Sequence, residues 1–376
     1  MNSGDFEFSL RELGGALGDL GTLLPLAVGY IVVCGVDPAG LLVMLGLVNI
    51  VLGFLYRLPM PVEPMKVLAV VAIAQAWTPG MVHASALAMG VTWLLLGLTG
   101  VIDRIAQATP KEVIRGIQIS LGLLLAKEAL NLAGGQWALL VASIAVILLL
   151  RKSRYAPASV VLVTAGIAIA AVSSGGNILV GPAFCLPEFR LLVPAEAWDS
   201  FVRGGLAQIP LTATNAVIAT SALISAYWPG RLVTERQLAV NMGVMNLAVG
   251  FFGGMPMCHG AGGLAGQYYF GARTGGANII EGTFEIVLGV FFAASIASAF
   301  AAFPGGILGA MMLAVGVELL KFAGDIPRDR RLVTAFVTVG VSVMSNMAWG
   351  FAAGLLFHRF LKSRWTGGGG FDFSGS

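Results

Sequence analysis

Two stretches of this chain set ionisable groups beside helix breakers. Pro59 to Lys66 reads PMPVEPMK, with Glu63 and Lys66 on either side of Pro64. Met255 to Gly263 reads MPMCHGAGG, with Cys258 and His259 ahead of Gly260, Ala261, Gly262 and Gly263. Cys258 and His259 are a soft pair with no further soft ligand nearby, so no metal and no cofactor is expected. The spacing suits anion binding instead. Pro59 and Pro61 fix their own φ and push the residues before them toward extended chain. Pro64 then suits the first turn of a new helix, which needs no amide donor there. In the second stretch Gly253, Gly254 and Pro256 break the chain, and the glycines from Gly260 open another helix. Two helix starts facing one another would each offer unpaired N–H groups. At about 5 Å from a dianion and an effective dielectric of about 20, each start contributes ~3 kcal/mol. The two together give ~6–7 kcal/mol before the anion's desolvation is subtracted. The glycines let a bulky tetrahedral oxyanion approach the backbone.

The elements that carry these stretches are membrane spans. The chain of 376 residues is 57% hydrophobic and 11% charged, against about 25% charged in soluble domains. It reads as an all-α polytopic membrane protein, one transport domain over 1–376. The acidic N-terminal residues do not resemble a cleavable signal, and three scattered cysteines give no disulfide framework. The net charge of +3 follows membrane topology and implies no nucleic acid. Apolar segments fall near 14–33, 38–56, 84–101, 111–130, 136–150, 157–173, 201–226, 237–254, 278–300, 304–322, 331–345 and 346–361. Segments 63–76 and 260–272 are too short to cross as helices, so they are read as half-helices preceded by extended chain, giving about fourteen crossings. Both termini then share a side. Of 22 Lys and Arg, 18 fall on that side; Lys127, Arg190 and Arg203 fall opposite, and Lys66 lies within. The asymmetry places both ends in the cytoplasm, with the chain in the cell membrane and in contact with its lipid. Residues 367–376 (GGGGFDFSGS) read as a flexible tail.

The halves repeat. A shift of 197 aligns 46–62 with 243–259 without a gap and pairs Gly46/Gly243, Asn49/Asn246, Gly53/Gly250, Phe54/Phe251, Pro59/Pro256 and Met60/Met257. A shift of 194 pairs Pro110/Pro304, Gly122/Gly316 and Lys127/Lys321. The repeats run over 14–173 and 201–361; with seven crossings in each, the second is inverted. Paired short, Pro/Gly-interrupted segments in inverted repeats point to the binding site of a secondary transporter.

Other intramembrane polar groups join the candidates. Asp19 and Thr22 lie in the first span, where a carboxylate is a functional candidate by default. The alternative is that Asp19 bonds broken backbone nearby. Gln208, Thr212, Thr214 and Asn215 lie on the corresponding span of the second half; such side chains either contact substrate or glue helices. Asn49 and Asn246 are read as braces for free backbone groups in the two halves. His259 donates to the oxyanion, makes uptake pH-dependent, or caps the bend. Glu281 and Glu285 couple protons or pair with Arg273, the second being the simpler reading. Glu128 and Lys127 read as solvated interface residues.

GDLGTLLP (18–25), PMPVEPMK (59–66), QIPLTATNAVIA (208–219) and MPMCHGAGGLAGQYYFGARTG (255–275) resemble the molybdate transporter family, a relative of the sulfate permeases and, more distantly, the nucleobase permeases. The resemblance implies a seven-plus-seven inverted repeat, a core domain moving against a gate domain, and an oxyanion held between the half-helices. On it, Asp19, Thr22, Val62, Glu63, Lys66, Gln208, Thr212, Asn215, His259, Gly260, Ala261, Gly262 and Gly263 line the site. Molybdate is the expected cargo, with sulfate or tungstate next. One departure stands out: glutamine is expected where the chain has Glu63. A carboxylate there repels an anion unless it is protonated or paired with Lys66, three residues on. A nucleobase permease is the rival of the same fold, but the eighth span offers Gln208 and Thr in place of a carboxylate. A membrane enzyme would need a nucleophile, base or metal cluster, and the three histidines are far apart in sequence. No P-loop supports ATP drive, and analogy with related folds allows a homodimer.

Overall fold

The computed structural model describes residues 6–18, 20–150, 158–174, 182–191, 193–326, 329–345 and 347–365. Asp19, Arg151, Lys152, Arg154, Arg328 and the tail at 367–376 lie outside them, so the readings that fall there have no structural counterpart. Helices make up nearly all the rest. In the first half they are α1 (Leu10–Ala16), α2 (Leu20–Val32) and α3 (Pro38–Tyr56), then the two-residue strand β1 (Glu63–Pro64) and α4 (Lys66–Ala74). There follow α5 (Pro79–Leu98), α6 (Val101–Gln107), α7 (Lys111–Ala133), α8 (Trp137–Leu150) and α9 (Ala158–Ser173). The second half opens with α10 (Pro194–Ser200), α11 (Leu206–Leu211) and α12 (Thr220–Tyr227), joined by π-helical turns over 201–205 and 212–219. It continues through α13 (Glu235–Phe251), the strand β2 (Met257–Cys258), α14 (Ala261–Phe270), α15 (Gly276–Ala301), α16 (Gly305–Leu320), α17 (Arg330–Met344) and α18 (Met347–Trp365).

Local chemistry sets the boundaries. Asp37 accepts from the amides of Ala39 and Gly40 with Pro38 behind it, which starts α3. Thr78 with Pro79 starts α5 five residues before the apolar run at 84. Thr234 and Gln237 close a capping box at α13. These side chains satisfy helix-start donors that would otherwise go unpaired. One expectation fails: Pro64 is not in a first helical turn. It pairs in β1, and α4 begins two residues later with Met65 as its N-cap.

Among the described residues three helices, Pro38–Tyr56, Pro79–Leu98 and Gly276–Ile296, are long and apolar enough to cross a membrane by themselves. Leu149 and Val172 are 83% exposed and Met344 90%, so the outer surface is apolar, as a lipid-facing one must be. Packing is backbone-close. α3 lies along α15, α13 along α5 and α16 along α7. A Cβ on Gly122 would stand 2.8 Å from the Gly316 carbonyl oxygen, and one on Gly316 2.8 Å from that of Gly122. Helices in lipid gain from such small-residue contacts because no hydrophobic force drives them together.

Candidate functional site

β1 and β2 cross antiparallel, with Glu63 opposite Cys258 and Pro64 opposite Met257. The Met65 amide also donates to the Pro256 carbonyl, at 2.9 Å. Because the strands run in opposite senses, the helices that follow leave from opposite ends of the ladder. The starts of α4 and α14 therefore flank one buried crossing, at which Met60, Val62, Met65, Met257, His259 and Ala261 are all 0% exposed.

Neither start has a cap from its own N-cap side chain. The chain answers them from elsewhere, and differently. At α4, Gln208 Oε1 accepts from the amides of Val67 (2.7 Å) and Leu68 (3.2 Å), while its Nε2 donates to Thr212 Oγ1 (2.7 Å). The expectation of unpaired N–H groups at both starts is thus corrected for α4: a neutral amide oxygen already sits there. At α14 a carboxylate lies alongside the start. Glu63, 1% exposed, lies so close to Gly260 and Gly263 that a Cβ on either would overlap its carboxyl group. Lys66 Nζ stands 3.2 Å from Glu63 Oε2. The pair forms across the turn from strand to helix, not along one helical face.

His259 comes one residue before the α14 N-cap. Its Nδ1 lies 3.3 Å from the Pro61 carbonyl, its ring meets Tyr56 edge-on, and its buried Nε2 has no hydrogen-bond partner. The buried Asn215 Oδ1 is likewise unpartnered, on a π-helical turn; such turns occur frequently at functional sites. Asp19 and the Thr22 side chain lie outside what the structure describes. Gly18 is described: a Cβ on it would meet the Gly266 carbonyl at 2.7 Å, so the break after α1 rests on α14. Val62, Glu63, Lys66, His259 and Gly260 to Gly263 gather at the crossing, and Gln208 with Thr212 abuts it through α4.

A second layer of amides holds the crossing. Asn246 accepts from the Met257 amide and donates to the Met257 carbonyl (2.8 and 2.7 Å). Asn278 does the same for Met60 (2.8 and 2.6 Å). Asn246 is thus the brace expected of it. Asn49 acts one step back, accepting from Asn278 and donating to Glu285, each at 2.8 Å. Gln267 of α14 donates to Glu281 at 3.1 Å. The glutamates therefore take amide donors, while Arg273 lies 3.7 Å over the Tyr268 ring and donates to the Tyr268 and Ala272 carbonyls. Sequence reasoning missed Asn278 and the capping role of Gln208. An amide at membrane depth was the available signal, and only Gln208 was picked out.

Electrostatics constrain what this arrangement can hold. A dianion about 5 Å from a charged carboxylate is repelled by ~7 kcal/mol at an effective dielectric of about 20. That equals the gross attraction of two helix starts. Lys66, 3.2 Å from Glu63, carries the opposite charge and offsets part of that repulsion.

The fold is that of known anion carriers in membranes. The structure matches the transmembrane domain of the cyanobacterial bicarbonate transporter BicA with a TM-score of 0.58 at 17% identity, over 91% of this chain and 97% of that one. It matches the murine anion transporter Slc26a9 with a TM-score of 0.63 at 13% identity, over 96% of this chain and 69% of that one. These likenesses define a multi-pass membrane transporter fold. Residues 11–125 and 200–319 match the family described as "Molybdate transporter of MFS superfamily". Over 412 aligned positions the chain is 30% identical to molybdate transporter 1 of Arabidopsis thaliana, covering 96% of this chain and 90% of that protein. Molybdate transporter 2 of the same plant is 31% identical, over 94% and 87%. The chain belongs to the molybdate transporter family, and is a transporter, not an enzyme.

Proposed function

We propose that this protein is a secondary transporter of a tetrahedral oxyanion, molybdate first and sulfate next, working by alternating access with the anion held at the crossing of β1 and β2. The observation that carries the reading is that crossing, which sets two helix starts, a lysine and an unpartnered histidine nitrogen around one buried point. Helix starts with backbone donors favour anions, and Lys66 adds a full charge. Family membership supplies molybdate as the cargo to try.

The finer architecture is proposed with it: about fourteen crossings, in inverted repeats over 14–173 and 201–361, with core and gate domains. What supports it is that the packing survives exchange of the halves. The shift of 197 turns the α3–α15 contact into the α13–α5 contact and matches Met60 with Met257, although their asparagine clamps come from non-matching helices, Asn278 of α15 and Asn246 of α13. The distribution of Lys and Arg supports cytoplasmic termini in a cell membrane. A proton accompanies the anion in this reading, because Glu63 stands where negative charge must go.

Calorimetric titration of the purified protein with molybdate, repeated with excess sulfate and with uracil, tests the cargo. Micromolar molybdate binding that ignores uracil is expected. Uracil binding in place of any oxyanion would show that the fold is right and the cargo wrong.

A further inference from the structure

The two helix starts are filled by different chemistry, and only one of the fillings carries charge. At α4 the acceptor is the Gln208 amide; at α14 the Glu63 carboxylate lies against Gly260 and Gly263. We infer that Glu63 is a tethered anion that holds the substrate's place at the start of α14 and yields it by taking up a proton, so that each oxyanion bound brings about one proton into the site. This rests on the oxyanion reading above and names the group that regulates that same site.

The carboxylate has little room to yield by moving away while charged. Its backbone is pinned in β1 by pairing with Cys258, its carboxyl group lies against Gly260 and Gly263, and Pro61 Cβ closes on the same glycine. At 1% exposure it lies away from the surface. Two like charges brought together in such surroundings do not both stay ionised. The described titratable groups around it are Lys66 on its own segment, Cys258 on the opposite strand, and His259 just after that strand with Tyr56 against its ring. Lys66 is a cation already and gains nothing by an incoming anion except a new partner. When Glu63 takes a proton from solvent onto a carboxylate oxygen, one O–H bond forms and nothing else changes covalently. Lys66 and the α14 amides are then left to face the oxyanion. A second, independent sign of a ligand is that His259 Nε2 is buried at 0% exposure beside this helix start and bonded to nothing.

The test is calorimetric titration of the full chain in detergent with sodium molybdate, in buffers of different ionisation enthalpy at one pH. The dependence of the observed heat on the buffer gives the number of protons taken up per anion. The wild type is expected to take up about one, with affinity weakening about tenfold per pH unit wherever binding takes up that proton, as linkage requires. Glu63→Gln should bind molybdate at least as tightly, with no proton uptake and a flat pH profile. His259→Gln should keep the uptake, which separates Glu63 from the other titratable neighbour. Binding by the wild type with no proton uptake overturns the inference and leaves the transport reading standing, as does undiminished uptake in Glu63→Gln. If Glu63→Gln fails to fold, uptake lost in His259→Gln overturns it equally. No binding of molybdate or sulfate by the wild type overturns the transport reading itself, and this inference with it.

Discussion

His259 enters the site with one ring nitrogen near the Pro61 carbonyl and the other facing no partner. The Pro61 carbonyl only accepts, so Nδ1 holds the proton of the neutral ring and Nε2 a lone pair, and Nε2 donates to a bound oxyanion only when the ring takes a second proton. The loss of a hydrogen bond to a charged group costs about 1.5–3 kcal/mol. In that state His259→Ala should therefore weaken molybdate binding by ~10–100-fold, and His259→Asn should recover part of it through a side-chain N–H. Equal affinities for wild type and His259→Ala would remove the histidine from the site. At this scale the sequence showed which residues to suspect but not how they act. Glu63, Lys66 and His259 stood out because charge beside proline and glycine is anomalous in a span. Gln208 was noticed as a possible ligand, yet its role as the cap of α4 depends on a contact across 141 residues. No local pattern announces such a contact.

The extended segments ahead of α4 and α14 are the elements on which the site depends, and their backbone has no helix to satisfy it. Asn278 and Asn246 each take one N–H and one C=O from those segments. Removing either side chain leaves the N–H and C=O of its methionine unpaired at ~1–3 kcal/mol each, and removing Asn278 also takes the donor from Asn49 Oδ1. Asn278→Ala and Asn246→Ala should both lower the melting temperature in detergent, by amounts corresponding to about 2–6 kcal/mol. A wild-type melting curve for either would show that the clamp is not needed. The extended character of these segments was legible from Pro59, Pro61 and Pro256. Their pairing with one another was not, because two-residue strands have no periodicity to detect, and the pairing drew Pro64 out of the helix assigned to it. Ahead of the first span, α1 docks through Glu12, which accepts from the amides of Arg273 and Thr274. Burial pushes Glu12 up from 4.5 to about 7 against those two donors. The folded chain therefore keeps this proton where the unfolded chain has lost it. The stabilisation is complete below pH 4.5 and disappears as pH rises through about 7. Melting temperature should fall between pH 5 and 8, and Glu12→Gln should flatten that slope. Equal slopes would mean that Glu12 titrates alike in both states.

The whole molecule carries a claim that no single contact can: that one half is the other turned over in the membrane. The repeat was legible because asparagine, proline and glycine recur in register. Gly122 and Gly316, matched by the 194-residue shift, prove to touch across α7 and α16. The helix pairing exchanges with the halves in the same way. Composition could not supply the partners, since apolar spans look alike and which one packs on which is decided by small residues spread over both. If the halves are inverted, residues matched by the repeat must face opposite sides of the membrane. Lys127 and Lys321 are such a pair, near the ends of α7 and α16. With Cys34, Cys185 and Cys258 replaced by serine or alanine, Lys127→Cys should react with a membrane-impermeant maleimide from outside intact cells, and Lys321→Cys only in inside-out vesicles. Labelling of both from the same face would mean an even number of crossings between them where the repeat requires an odd one. The two helix starts would then enter the crossing from the same side of the membrane, and an anion held between them would have no second face to leave by.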